Sequence, residues 1–326
     1  MPEPFVGDRH VDALLTNLST AYIQDAADFI APAFAPVIPV KFRSNRYVAY
    51  LKGDWFRDEA EERAPGAESA GAGFTLDNTP TYFCRKYAYH SDVTEDDQAN
   101  ADQPISPYED AQQFVTQKLL IKRERLFAAS YFQAGIWGSE PLCVPGAPGP
   151  GQVRQWNQAD AIPIEVIDGY KAATLEATGM EPNTLVVGYR VYNRLKNHPT
   201  VLDRIKYTQR GVVTPDLLAA LFGIPKFLVG KAVVNLGPRG GGDVMTFVSG
   251  NHALLAYVNP APAIKKPSAA YIFGWTGLLG AGAFGNRIKR FELVRNGSER
   301  IEGEMAFDMK VVGADLGVFF EDVVAE

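Results

Sequence analysis

Cysteine is nearly absent from these 326 residues, with Cys84 and Cys143 the two thiols present. A disulfide framework is therefore excluded, and a reduced setting is the natural reading. Basic charge is also in short supply: Lys and Arg number 32 against 38 Asp and Glu, giving a formal charge of -6. The pI of about 5.4 excludes the cationic excess that drives nucleic-acid or anionic-membrane binding. Any contact with DNA must be local and weak. No run approaches the ~18 apolar residues of a membrane span, since the richest segment, Ala253 to Val258, is short. The N-terminus carries Glu3, Asp8 and Asp12 where a signal peptide needs a basic start and an apolar core. A cytoplasmic product is expected, in which the Asn17 and Asn296 sequons carry no meaning. What is present is ordinary for a folded protein: 46% hydrophobic and 21% charged residues, enough for one large core or two modest ones.

Along the chain, Val11, Leu14, Leu15 and Leu18 outline a short helix, followed by Pro32, Pro36 and Pro39. Proline at that density blocks helix and central strand alike and predicts an extended arm that must lie on something. Next come a strand at Tyr47 to Tyr50, a charged run from Lys52 to Arg63, a Gly/Ala/Pro-rich stretch to Gly73, and a strand at Thr81 to Tyr89. Together they predict a projecting hairpin, which buries little by itself and calls for a neighbouring subunit to cover it. Ser106-Pro-Tyr-Glu109 is a capping box with proline at the first helical position. A helix from Pro107 to about Phe132 follows, roughly 39 Å long at ~1.5 Å per residue. Its apolar stripe reads as Ala111, Phe114, Val115, Leu119, Leu126 and Ala129, with Lys118, Lys122, Arg123, Glu124 and Arg125 on wetter faces.

A turn-rich connector from Ser139 to Gln152 leads into an α+β region. There the signals are a helix at Pro163 to Thr178 stopped by Gly179, a strand at Asn183 to Gly188, a helix at Tyr189 to Asn197, and a helix beginning at Thr214-Pro and stopped by Gly223. Strands follow at Phe227 to Val229 and Ala232 to Val234. From Tyr271 onward the chain is strand-like at Tyr271 to Trp275, Arg287 to Val294, Glu302 to Val312 and Gly317 to Phe320.

Catalytic constellations fail their context tests. Gly280 to Gly285 matches G-x-G-x-x-G, but a strand follows it where a pyrophosphate needs a helix N-terminus. Gly230-Lys231 lacks the earlier glycine of a phosphate loop, Pro225 standing there, and Gly237 to Asp243 reads as a mobile turn joining two strands. His10, His90, His198 and His252 stand apart, with no cysteine near enough to complete a zinc set. His90-Ser91-Asp92 has the residue types of a hydrolytic triad, yet adjacent residues cannot point at one another. The carboxylates of Glu95 to Asp97 and Asp58 to Glu62 leave a glycosidase-like pair open beside their reading as solvated charge.

The order of elements (arm, charged hairpin, spine helix, central α+β region, closing strands) resembles the major capsid proteins of tailed bacteriophages, the Hong Kong 97-type fold. The phrases that carry it are His10 to Leu15 with Pro36 to Val40, Tyr50 to Arg57 with Arg63 to Gly66, Pro182 to Gly188, Arg204 to Tyr207, and Leu221 to Gly223. Together they cover nearly the whole chain. The resemblance implies an α+β subunit with an N-terminal arm at 1–42, an extended β-hairpin loop at 43–90, a peripheral domain with the spine helix at 91–159, an axial domain at 160–262, and closing peripheral strands at 263–326.

It also implies a structural role without catalysis, cofactor or metal: self-assembly into hexamers and pentamers of an icosahedral head around double-stranded DNA. The virion is the expected location, assembled in the host cytoplasm. Expected partners are copies of the chain itself, a portal protein and a separate scaffolding protein, because the arm begins almost at Met1; a decoration protein is left open and a membrane is not expected. Candidate inter-subunit contacts are Lys52, Asp54, Trp55, Arg57, Glu59, Arg63, Arg123 and Arg125, with the mixed loop charges setting register more than affinity. Lys52 lies in the loop where some members cross-link a lysine to asparagine, but no Asn partner is identifiable and no covalent chemistry is expected. The alternatives are an encapsulin-like compartment of the same fold and a soluble carboxylate-dependent hydrolase.

Overall fold

A computed structural model describes residues 23–101, 105–206, 213–262, 266–279, 287–295 and 297–325. The phrases His10 to Leu15 and Gly280 to Gly285, the helix outlined by Val11 to Leu18, and Tyr207 lie outside the described residues. The fold is organised by the helix Pro107–Tyr131. Its start is where the sequence places it, with Pro107 first and Glu109 and Asp110 in the first turn against the positive end of the helix dipole. Ser106, however, makes no side-chain cap bond, so proline and charge begin the helix without the expected capping box.

The buried face steps by fours through Ala111, Val115, Phe127 and Tyr131, and it includes Arg123 and Glu124. Phe114 is 47% exposed and Ala129 is exposed, so the apolar stripe is rotated from the expected one. This face lies across the long strand Ser298–Val311. At the crossing stands Gly303, where a Cβ would sit 2.6 Å from Leu119 Cδ1 and 2.7 Å from Val115 Cγ1. Helix and sheet approach as closely as the missing side chain permits. Leu119→Pro, in the middle of this helix, is expected to cost ~3 kcal/mol or more and to abolish soluble protein. Normal soluble yield of that variant would reject the helix as the element that holds the fold.

The long strand pairs antiparallel with Arg85–Thr94, Arg287–Leu293 and Ala270–Trp275, and Val37–Val40 adds a parallel strand beside the last. The N-terminal segment is therefore more than an arm lying over the surface. Phe29, Ile30, Ala31, Phe34 and Ala35 are buried, and Phe34 meets Phe127 and Tyr131 with ring centroids 5.4 Å apart in each case. The prolines fit because of where they stand. Pro32 is in the first turn of the short helix Ala31–Phe34, where a missing N–H costs nothing, and Pro39 is on an edge strand.

A second sheet runs in the order Lys226–Gly230, Thr184–Gly188, Ala253–Ala256, Gly317–Phe320. Its first two strands are parallel and the rest antiparallel. The sequence-predicted helix Pro163–Thr178, ended by Gly179 at φ 72°, belongs to this unit. So does Pro215–Leu221, capped where Leu217 N–H donates to Thr214 Oγ1. The final strand, Gly317–Phe320, joins this four-stranded sheet through its pairing with Ala253–Ala256, so the expected grouping of all of 263–326 with the closing strands of the other sheet does not hold for it. The connector after Ser139 also holds a short parallel ladder, Leu142–Val144 with Gln152–Arg154.

The hairpin forms by two short pairings, Ser44–Arg46 with Thr81–Phe83 and Ala49–Tyr50 with Leu76–Asp77. Between them every residue from 56 to 75 is exposed. The returning strand breaks at Cys84, whose N–H donates to Arg43 O, before resuming as Arg85–Thr94.

Candidate assembly surfaces

Among the described residues no group of His, Cys, Asp and Glu is placed to hold a metal ion, and no helix is long and apolar enough to cross a membrane. The thiols of Cys84 and Cys143 are buried, and desolvation pushes both up to about 12, far from a reactive thiolate. On its strand Asp92 is clamped by Arg300 at 2.7 and 2.8 Å, so the His90-Ser91-Asp92 phrase has no free acid for a triad. The acidic residues Glu95 to Asp97 form the first turn of the helix Glu95–Ala99, capped by Thr94. Gly237 to Asp243 does join two strands, Val233–Asn235 and Met245–Phe247. It is braced by Asn235, whose Oδ1 accepts from Gly237 and Val244 N–H at 2.9 Å each.

Tyr50, Trp55 and Phe74 gather into a small aromatic cluster with centroids 5.7 to 6.1 Å apart. Trp55 nevertheless stays 54% and Phe74 56% exposed. Asp54 shapes the loop around them by accepting from Thr75 N–H at 2.8 Å, a bond that holds its carboxyl below the usual range. Arg57 stands 3.8 Å from both Asp54 and Glu59, and Arg63 donates to Ala67 O within the loop.

Lys52 is engaged within its own chain, paired with Asp315. Beside it the Phe56 ring lies on Gly179, where a Cβ would sit 2.9 Å from the ring. Lys52 and Phe56 are thus held against Asp315 and Gly179, while residues 58–75 are exposed. Arg125 is exposed on the spine helix. Arg123 is 8% exposed, so it is corrected from a surface contact to an interior residue; the helix face that carries it turns onto the core.

Two charged features escaped the sequence reading. Glu124 is fully buried, and its carboxylate accepts from Ile30 N–H at 3.1 Å and Ala31 N–H at 3.0 Å. Glu304, 1% exposed, gathers Lys86, Arg287 at 2.8 Å and Lys289 at 2.8 Å. Strand alternation could have flagged Glu304 as sharing a face with Arg287, its register partner. Nothing local marks Glu124.

No family model matches the chain. Over 261 residues, 77% of each chain, it is 29% identical to the major capsid protein of Burkholderia phage BcepMu. A crystal structure of a phage-related protein from Bordetella bronchiseptica RB50 superposes with a TM-score of 0.68 at 22% identity, covering 97% of this chain and 98% of that one. The capsid of cyanophage P-SCSP1u follows at 0.62 and 12% identity, over 98% and 95% of the two chains. The chain has the Hong Kong 97-type capsid fold. An encapsulin complex from Synechococcus elongatus PCC 7942 shares the fold with a TM-score of 0.53 and 12% identity, over 100% of this chain and 98% of that one. This Hong Kong 97-type chain is thus similar, end to end, to subunits of closed protein shells.

Proposed function

We propose that this chain is the major capsid protein of a tailed phage, a structural subunit that assembles into the hexamers and pentamers of an icosahedral head enclosing double-stranded DNA. The observation that carries the reading is the extended loop on this fold: twenty consecutive exposed residues, 56–75, with half-exposed aromatics at their root. Such a segment gains stability only by covering another surface, and a heterologous contact of this kind closes into rings. The proposal includes a separate scaffolding protein, a portal and weak non-specific contact with packaged DNA, with assembly in the host cytoplasm. A decoration protein is compatible with it.

Electron microscopy of the purified chain with the scaffold of its own genome is expected to show uniform icosahedral shells. Small discrete particles under those conditions would overturn the reading. Trp55→Ala is expected to lower particle yield at least tenfold while leaving the circular dichroism of the chain unchanged; undiminished yield would reject the loop's role. The encapsulin likeness supports a second reading, a compartment of the same fold. Nuclease-resistant DNA inside the shells points to the phage, and protein cargo alone points to the compartment.

A further inference from the structure

We infer that a cleft at one end of the four-stranded sheet is a binding site for a small zwitterion of the α-amino acid class, its carboxylate taken by Arg190 and its ammonium group by Asp322. The inference goes beyond the shell-building role proposed above and does not depend on it. Four segments meet at this cleft: the start of the helix Tyr189–Leu195, the strand Met245–Phe247, the turn through Asn251 and His252, and Asp322 just after the last strand. The space between them is about 150 Å³, the size of a cavity that holds one benzene molecule. A ligand of about six non-hydrogen atoms therefore fits.

The lining supplies two opposite charges that do not neutralise each other. Arg190 and Asp322 both border the cleft, yet among the described residues Arg190 has no ion-pair or hydrogen-bond partner. Asp322 has only His252, whose Nδ1 is 3.8 Å from its carboxylate. That imidazole is neutral: Nδ1 accepts from Asp322 N–H at 3.1 Å, which puts the ring proton on Nε2, and burial pushes its pKa below the ordinary 6.5. Nε2–H, turned toward Gly250 on the same lining, is thus a second donor for a carboxylate. Asn251 is 7% exposed, and its Oδ1 is buried with no hydrogen-bond partner. An acceptor left in that state is costly, and an ammonium group brings the donor it lacks. Phe247, packed on the Tyr189 ring with centroids 5.4 Å apart, offers an apolar surface to the ligand's carbon atoms.

Charge decides the class of ligand. A lone carboxylate would gain Arg190 but meet Asp322, with Glu321 also acting on the same imidazole. A lone amine would gain Asp322 but meet Arg190. A molecule carrying both charges satisfies each group without like-charge repulsion, and the same repulsion discriminates against singly charged competitors. The acidic half of the site is also braced in advance. Asp322 is the one non-glycine residue among those described with a left-handed backbone, φ 49°, which aspartate tolerates. Its N–H is held by His252 and its carbonyl oxygen accepts from Gln155 Nε2 at 3.1 Å. A carboxylate mounted on a fixed backbone has less freedom to lose when a ligand binds.

Ligand-observed NMR titration of the full chain with L-alanine tests the site. Saturable binding is expected, with sodium acetate and methylammonium chloride, which carry one charge each, binding at least tenfold more weakly. Arg190→Gln removes an exposed side chain without partners and is expected to weaken L-alanine at least tenfold with unaltered circular dichroism and melting. Asp322→Asn, which keeps a residue that tolerates the left-handed backbone, is expected to do the same. Should Asp322→Asn melt lower, Arg190→Gln alone decides. Absence of saturable L-alanine binding overturns the inference, and so does undiminished affinity in Arg190→Gln. Acetate or methylammonium binding as tightly as L-alanine would make the cleft a site for a single ion and overturns it equally. Shell formation enters none of these measurements, so failure of the capsid reading and failure of this site are told apart.

Discussion

Glu124→Ala is expected to lower the unfolding free energy by roughly 3 to 5 kcal/mol, the scale of stranding two buried donors and opening a cavity. The short helix Ala31–Phe34 has no capping side chain of its own at Ile30. Its N-terminal N–H groups of Ile30 and Ala31 are satisfied instead by a carboxylate from the spine helix, more than ninety residues away in sequence. Removing that carboxylate leaves both donors without water or partner beneath Phe34 and its aromatic neighbours Phe127 and Tyr131. Urea unfolding would measure the loss, and limited proteolysis near residue 30 should show the segment cut first. A variant with wild-type stability and protection would mean that Glu124 does not hold the segment down.

The same residue sets a pH dependence. Burial pushes the Glu124 carboxyl up to about 7, while the two N–H groups and the neighbouring Arg123 draw it partly back. With a folded value above the ordinary 4.5, the folded chain holds the proton more tightly than the unfolded one. Its contribution is fully present below about pH 4.5 and is lost as pH rises through about 7, by roughly 3 kcal/mol at most. Glu304 works in the opposite sense, held well below the ordinary range by Lys289, Lys86 and Arg287 against its desolvation. Its contribution is present above about 4.5 and is lost in acid. Between pH 5 and 8 the slope from Glu124 is opposed by that of His252, whose folded value desolvation lowers below 6.5, and the part due to Glu124 should vanish in Glu124→Gln. An identical slope in that variant would assign the titration elsewhere.

Gly188→Ala is expected to be as damaging by a different route, with a loss of about 3 kcal/mol or more and little soluble protein. Gly188 ends the fully buried strand Thr184–Gly188, an inner strand of the four-stranded sheet. A Cβ there would sit 2.1 Å from the backbone oxygen of Gly250. Its parallel partner Gly230 is hemmed in similarly, with Ser249 Oγ 2.1 Å from a built Cβ. Two adjacent strand ends are thus glycine because the 249–250 turn crosses directly over them. Neither the strand nor the turn can yield, since Val186, Val187 and Leu254 are fully buried around the crossing. Gly53→Ala on the loop meets nothing within 4 Å and serves as the control, with expected wild-type yield and melting. A Gly188→Ala chain that melts with the wild type would show that the crossing can relax.

By itself the sequence determined the elements whose signals are local. Proline at the start and glycine at the end delimited Pro163–Thr178; a Thr cap, a proline start and a glycine stop marked Pro215–Leu221. A short apolar run delivered Gly317–Phe320, and missing apolar support marked the loop as projecting. These follow from backbone chemistry within a few residues, where a cap or a missing N–H acts regardless of the rest of the chain. Tertiary structure alone decided which face of the spine helix is interior, because periodicity states that a helix has an apolar side without stating what docks there. Phe114 and Ala129 lost their expected burial, and Arg123 and Glu124 gained theirs, when the N-terminal segment and the long strand closed over the other face. It also carried the last strand to the four-stranded sheet and brought the Gly250 carbonyl against Gly188. A buried carboxylate can be satisfied by backbone N–H groups of any distant segment, and a glycine by any crossing chain. The partners in both cases are chosen by packing in space, which spacing along the sequence does not encode.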